Sequence, residues 1–266
     1  MAIFLIPALY GLGWLLAQPI GQVMPDASGS QISLIGTVIT FVLFILVLPS
    51  WVRVRWNSRQ PWLALGLRSR RGQASSGSCL LRGLLRSAGL LALICLPLLL
   101  GSWGRWLGEL TAADALNALL LFLGLGLAEE LVFRGWLWGE LNALRGPRTA
   151  VIGQAAIFSL AHTRFDQGVF PMLGLLTGLL LLGLILAVQR RLDGGSLWGC
   201  IGLHGGLVGG WFALRSGVLQ ISPSAPVWLI GPGGVHANPL GGLVGIIALC
   251  VLLWRQLTAL ASAARP

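Results

Sequence analysis

Lysine is missing from this sequence: all 18 basic residues are arginine, set against only eight acidic ones. Charge of any kind is scarce, at 10% of 266 residues, where a soluble domain carries about 25%. With 56% hydrophobic residues and a mean hydropathy of +0.84, that shortage excludes an ordinary soluble domain and puts the chain in a lipid bilayer. Cysteine is also sparse. Cys79, Cys95, Cys200 and Cys250 form no CxxC or metal-ligand spacing, and three lie in apolar runs, so they read as small packing residues. The formal charge of +10 could suggest nucleic acid, but eight of the arginines lie between Arg53 and Arg86, in the longest polar stretch, with no folded basic domain around them. Such a cluster reads as a cytoplasmic loop under the positive-inside rule, and no nucleic-acid partner is expected. No positive residue precedes the first apolar run, which predicts a first membrane helix rather than a cleaved signal peptide.

What the chain has in quantity is apolar runs. A spanning helix needs about 20 mostly apolar residues, and eight segments fit: Ala2 to Met24 (interrupted by Pro7 and Pro19), Ile32 to Val52, Leu84 to Trp103, a fourth from Ala113, Thr149 to His162, Val169 to Val188, Ser196 to Ala213, and Leu240 to Leu253. The fold class predicted is an all-α polytopic transmembrane helical bundle of about eight spans. It is read as one membrane domain over residues 1–266, with a motif-bearing core at about 113–213 and a cytoplasmic Arg-rich loop at about 53–83. Residues 72–78, Gly/Ser-rich, read as the flexible centre of that loop, and residues 227–239, with Gly231-Pro232-Gly233-Gly234, as another loop. With the Arg-rich loop inside, eight spans put both termini in the cytoplasm. Arg145, Arg148, Arg190, Arg191, Arg255 and Arg265 then also lie inside, and only Arg105, Arg164 and Arg215 face out. The expected location is a bacterial cell membrane.

Against this background one stretch stands out: Ala128-Glu129-Glu130-Leu131-Val132-Phe133-Arg134-Gly135, directly behind an apolar run. An ionised group in a bilayer costs roughly 2.5–3.5 kcal/mol on insertion scales, so three together require a reason. On a helix Glu130 and Arg134 share a face and can pair. Glu129 lies about 100° round the axis, where the same arginine serves it poorly. One carboxylate is neutralised and one stays available. Two of the three histidines, His162 and His204, also fall in predicted spans, while His236 lies in the Gly/Pro-rich loop. Phe158 precedes His162 by one turn on the same face, and the glycines after His204 allow another backbone to come close.

Gly146-Pro147 is the only turn signal between the fourth and fifth spans. Glu129 lies seventeen residues before it and His162 fifteen after it. At 1.5 Å per residue these are roughly 25 and 22 Å from the turn, hence at similar depth in a helical hairpin. A helix from Ala113 to Arg145 would be about 50 Å long against a ~30 Å hydrocarbon core, so it protrudes, tilts or breaks, with Gly135 as the candidate break. A carboxylate screened from water can act as a general base near neutrality, with Glu129 deprotonating a water, His162 orienting it and His204 donating to the developing oxyanion. Alternatively Glu129, His162 and His204 make a two-His, one-carboxylate set suited to zinc. The spacing leaves both open, so the cofactor is either none or zinc. Two further readings also stay open: a haem ligated between His162 and His204, and a binding role without catalysis.

The run Glu129-Glu130-x-x-x-Arg134, then Phe158-x-x-x-His162, then His204 in a late span resembles the CAAX-protease and bacteriocin-processing family of intramembrane proteases, formerly the Abi family, over roughly Ala113 to Ala213. The resemblance implies a membrane endopeptidase, metallo- or glutamic-type, acting on a membrane-associated peptide or protein. Glu129 would activate water, Glu130 with Arg134 would hold the first helix, and His162 and His204 would complete the site. One position departs: four residues after the second histidine the family commonly has Asn or Asp, and here stands Val208. That departure supports the rival reading of a catalytically weak member serving as an assembly or immunity factor.

Overall fold

The structure is a computed structural model that describes residues 2–24, 26–69, 72–231 and 238–263. His236 and residues 232–234 lie outside these, as do Arg70, Arg71 and Arg265. The chain forms two compact units, Met1–Ala64 and Leu65–Pro266.

The first unit is a helical hairpin, α1 (Ala2–Val23) and α2 (Gly29–Arg55), followed by a single turn, α3 (Pro61–Ala64). Helix α1 continues through Pro7 and Pro19. Helix α2 begins at a capping box, in which Ser28 Oγ accepts from the Gln31 N–H and the Gln31 side chain accepts from the Ser28 N–H at 2.7 Å. The two helices touch where Gly13 faces Thr40: a Cβ on Gly13 would lie 2.2 Å from Thr40 Oγ1.

The second unit contains α4 (Ser76–Leu100), β1 (Gly104–Trp106), α5 (Ala112–Arg145), α6 (Pro147–Ala161), α7 (Val169–Leu192), α8 (Trp198–Ala213), β2 (Leu219–Ile221), α9 (Val227–Ile230) and α10 (Leu243–Ala263). The two short strands pair antiparallel, Arg105 opposite Gln220, and no sequence pattern had marked them. All eight predicted spans are helical. Among the described residues six helices are long and apolar enough to cross a membrane, while α6 and α8, with 15 and 16 residues, are shorter. The all-α polytopic bundle holds.

Several boundaries differ from those expected, the last helix among them, which runs Leu243–Ala263 rather than Leu240 to Leu253. Helix α4 starts at Ser76 rather than Leu84 because Ser75 is an N-cap, its Oγ accepting from the Ser78 N–H at 3.2 Å. The Gly/Ser run is therefore partly a helix start, and Arg82, expected in the loop, is helical. Residues 227–230, expected in a loop, form one helical turn. The long helix α5 does not break at Gly135. It runs 34 residues to Arg145 and widens into π-helical turns at Leu121–Leu125 and Leu131–Leu137, with Glu129 and Glu130 on the α-helical turn between them. It stops where the sequence predicted, at Gly146 (φ 81°), with Pro147 opening α6.

Helix α8 packs on both α4 and α5, and its glycines are the reason. A Cβ on Gly202 would lie 2.3 Å from the Leu80 carbonyl oxygen of α4, and one on Gly205 2.3 Å from the Phe122 carbonyl oxygen of α5. In a bilayer such close backbone approach takes the place of the hydrophobic driving force. The third face of α8 then carries His204, Val208 and Trp211 at i, i+4 and i+7. Gly202→Leu is expected to destabilise the purified protein by about 1–3 kcal/mol, seen as a lower midpoint of thermal unfolding in detergent. Gly89→Leu, on an α4 position with nothing within 4 Å, leaves the midpoint near that of the parent.

At the far end of α7 a polar cluster ties the unit together. Arg82 pairs with Asp193 at 2.7 Å, Gln189 donates to Asp193 at 2.5 Å, and Arg86 donates to Gln189. Burial pushes the Asp193 carboxyl above its ordinary value, against the pull of the Gln189 amide and the two arginines. Next to it Arg190 donates to the carbonyl of Arg134 and to that of Gly195, fixing the second π-helical turn of α5.

Candidate intramembrane active site

Three helices bring the predicted side chains together. Glu129 Oε2, on α5, lies 3.6 Å from His162 Nε2 and 3.8 Å from His204 Nε2. His162 caps the C-terminus of α6, and His204 sits midway along α8. Glu130 faces away from this point and is fully buried with Arg134, whose Nη1 donates to Glu130 Oε1 at 2.9 Å. The i, i+4 pairing and the separate fate of Glu129 are as the sequence predicted. The sequence did not indicate that Glu130 Oε1 also takes His204 Nδ1 at 2.8 Å. No spacing rule links residues 74 apart on different helices.

These bonds fix the proton positions. A carboxylate beside Arg134 only accepts, so His204 Nδ1 carries its proton. His162 Nδ1 lies 2.8 Å from the Phe158 carbonyl, which also only accepts, so this Nδ1 is protonated too. Each neutral imidazole therefore turns its Nε2 lone pair toward the same carboxylate oxygen, and each protonated one turns an N–H toward it. Glu129 Oε2 is buried with no hydrogen-bond partner among the described residues.

Phe158 holds the arrangement from behind. Its ring lies 4.7 Å from that of His162 and 5.5 Å from that of His204, perpendicular to the latter, and 5.1 Å from that of Phe133. The Arg134 guanidinium carbon sits 4.1 Å from the same ring centroid, so the cation has a π face as well as a carboxylate. Only the spacing of Phe158 to His162 was legible in the sequence. Its contacts with Arg134 and His204 come from the packing of three helices.

Glu129, His162 and His204 open onto a cavity of about 510 Å³ whose wall is mainly apolar, rich in leucine, with Val208, Trp211 and Phe212 from α8. Its polar wall groups beyond the three are Arg164, Arg215, Ser216 and Asn238. Two imidazoles and a carboxylate are donors that zinc accepts. Among the described residues, however, no group of three or more His, Cys, Asp or Glu is placed to hold a metal ion.

Fold and site together define a polytopic membrane protein with an acid–imidazole centre facing a cavity, the class to which intramembrane proteases belong. Residues 111–209 match the family model described as type II CAAX prenyl endopeptidase Rce1-like, the same stretch that carries the sequence motifs. Residues 1–60 match a different family, a domain of unknown function (DUF8676). No curated protein and no solved structure matches the chain.

Proposed function

We propose that this protein is an intramembrane endopeptidase that hydrolyses a peptide bond of a membrane-associated substrate with a water activated by Glu129. The observation that carries the reading is the division of labour between adjacent carboxylates: Glu130 is neutralised by Arg134 and His204, while Glu129 has no cation of its own and faces the cavity. Glu129 takes a proton from water as the water oxygen bonds to the scissile carbonyl carbon. His162 orients that water through Nε2. His204, held by Glu130 through Nδ1, donates from Nε2 to the oxyanion when protonated. The proton then passes to the leaving amine as the C–N bond breaks.

With the Arg-rich loop cytoplasmic, both termini lie inside and the cavity, walled in part by Arg164 and Arg215, opens toward the outer face. The short α6 supports this, because its 15 residues rise only about 22 Å and leave irregular backbone near His162. The family description names CAAX prenyl endopeptidases, and a prenylated CAAX peptide is the first substrate to try. The leucine-rich wall suits any apolar anchor.

The test compares membrane peptides of cells expressing the parent protein with those of cells expressing Glu129→Gln. Proteolysis predicts peptides that form only with the parent. The competing reading, a weak member acting as an assembly or immunity factor, rests on apolar Val208 in the cavity wall. It predicts instead that Glu129→Gln fully rescues a deletion strain.

A further inference from the structure

The tetrahedral intermediate of amide hydrolysis needs hydrogen-bond donors, and besides His204 the cavity wall offers those of Arg164, Arg215, Ser216 and Asn238. His204 commits Nδ1 to Glu130, leaving one nitrogen for the substrate. One turn later Val208 faces the same cavity and has no polar atom. The single side-chain amide in the cavity wall belongs to Asn238, far from the motifs in sequence.

Asn238 is held firmly and in one orientation. It caps the 3₁₀ turn Pro239–Gly241, its Oδ1 accepting from the Leu240 N–H at 3.1 Å. A backbone N–H can only donate, so this bond fixes which end of the amide is oxygen. Nδ2 is left with two N–H donors and no hydrogen-bond partner among the described residues. The turn itself is pressed onto α7, since a Cβ on Gly178 would lie 2.2 Å from the Leu240 carbonyl oxygen and one on Gly241 3.0 Å from Leu175 Cα. On its other side the Asn238 carbonyl rests on Gly231, where a Cβ would lie 1.8 Å from it.

We propose that Asn238 is a catalytic residue of this site: its Nδ2 donates a hydrogen bond to the substrate carbonyl oxygen as that oxygen becomes negative. The proposal rests on the hydrolase reading above. A donor aimed at charge that develops only in the transition state acts on kcat more than on KM.

Asn238→Ser and Asn238→Asp separate this role from capping, because both keep an oxygen that can cap the turn. Serine is neutral but lacks the amide N–H donors, and ionised aspartate only accepts. The probe is a peptide spanning a cleavage site that disappears from cells when Glu129→Gln replaces the parent, assayed with the full-length protein in detergent. Both variants are expected to unfold within a few degrees of the parent and to lose more than about tenfold in kcat, toward the 10²–10³ typical of one oxyanion donor, with KM little changed. A smaller loss in Asn238→Ser while Glu129→Gln is inactive overturns the assignment of Asn238 alone. If no cellular cleavage depends on Glu129, the hydrolase reading falls and takes this assignment with it.

Discussion

The Glu129→Gln variant is expected to lose cleavage by about 10²–10⁴-fold, the range for removing a general base, while its unfolding midpoint stays at or above that of the parent. Glutamine matches glutamate in shape, so the cavity wall is preserved. What disappears is an oxygen able to take a proton from water. Stability is spared because Glu129 has no arginine that depends on it: Oε2 has no hydrogen-bond partner and the nearest cationic candidates are imidazoles 3.6 and 3.8 Å away. Removing such a charge from an enclosed site relieves desolvation. Glu130→Gln, one residue on, should do the reverse and lower stability, because it leaves Arg134 buried without its counter-charge. Rates on a peptide cleaved in cells, read beside thermal unfolding of the same preparations, check both. Full cleavage by Glu129→Gln would sink the hydrolase reading.

The contrast between these neighbours was half legible in the sequence. Helical periodicity says which glutamate meets Arg134, and the Gly146-Pro147 turn places His162 at the depth of Glu129. Both inferences are local or nearly so, and 3.6 residues per turn carries them. The bond from Glu130 to His204 joins α5 to α8, and it depends on glycines that let the backbones touch at Phe122 and Gly205. Small residues advertise close packing without saying what they pack against. The π-helical turns of α5 have no compositional signature, and α8 starts two residues later than the apolar pattern suggests, at Trp198 rather than Ser196. Asn238 was hidden for another reason: a capping asparagine after a Gly/Pro-rich stretch looks like turn chemistry alone until that residue is seen in the cavity wall.

Arg134→Met is expected to destabilise the protein by about 3–5 kcal/mol, the cost of stranding one partner of a buried ion pair. Methionine fills much of the same space, so the loss is electrostatic. Glu130 would keep only His204 Nδ1, in surroundings where neither carboxylate oxygen reaches water, and Phe158 would lose the cation over its ring. The double variant Glu130→Gln/Arg134→Met should regain much of that stability, since replacing both members of a buried pair by neutral groups is often tolerated. Activity should not return with it. A glutamine at 130 can still accept from His204 Nδ1, but it cannot stabilise the imidazolium that donates to the oxyanion from Nε2. A structural clamp alone predicts recovery of both properties together. Denaturant unfolding and cleavage rates, measured on the two single variants and the double, separate the outcomes: stability restored with kcat still depressed assigns Glu130 the positioning of His204 as well as the neutralising of Arg134.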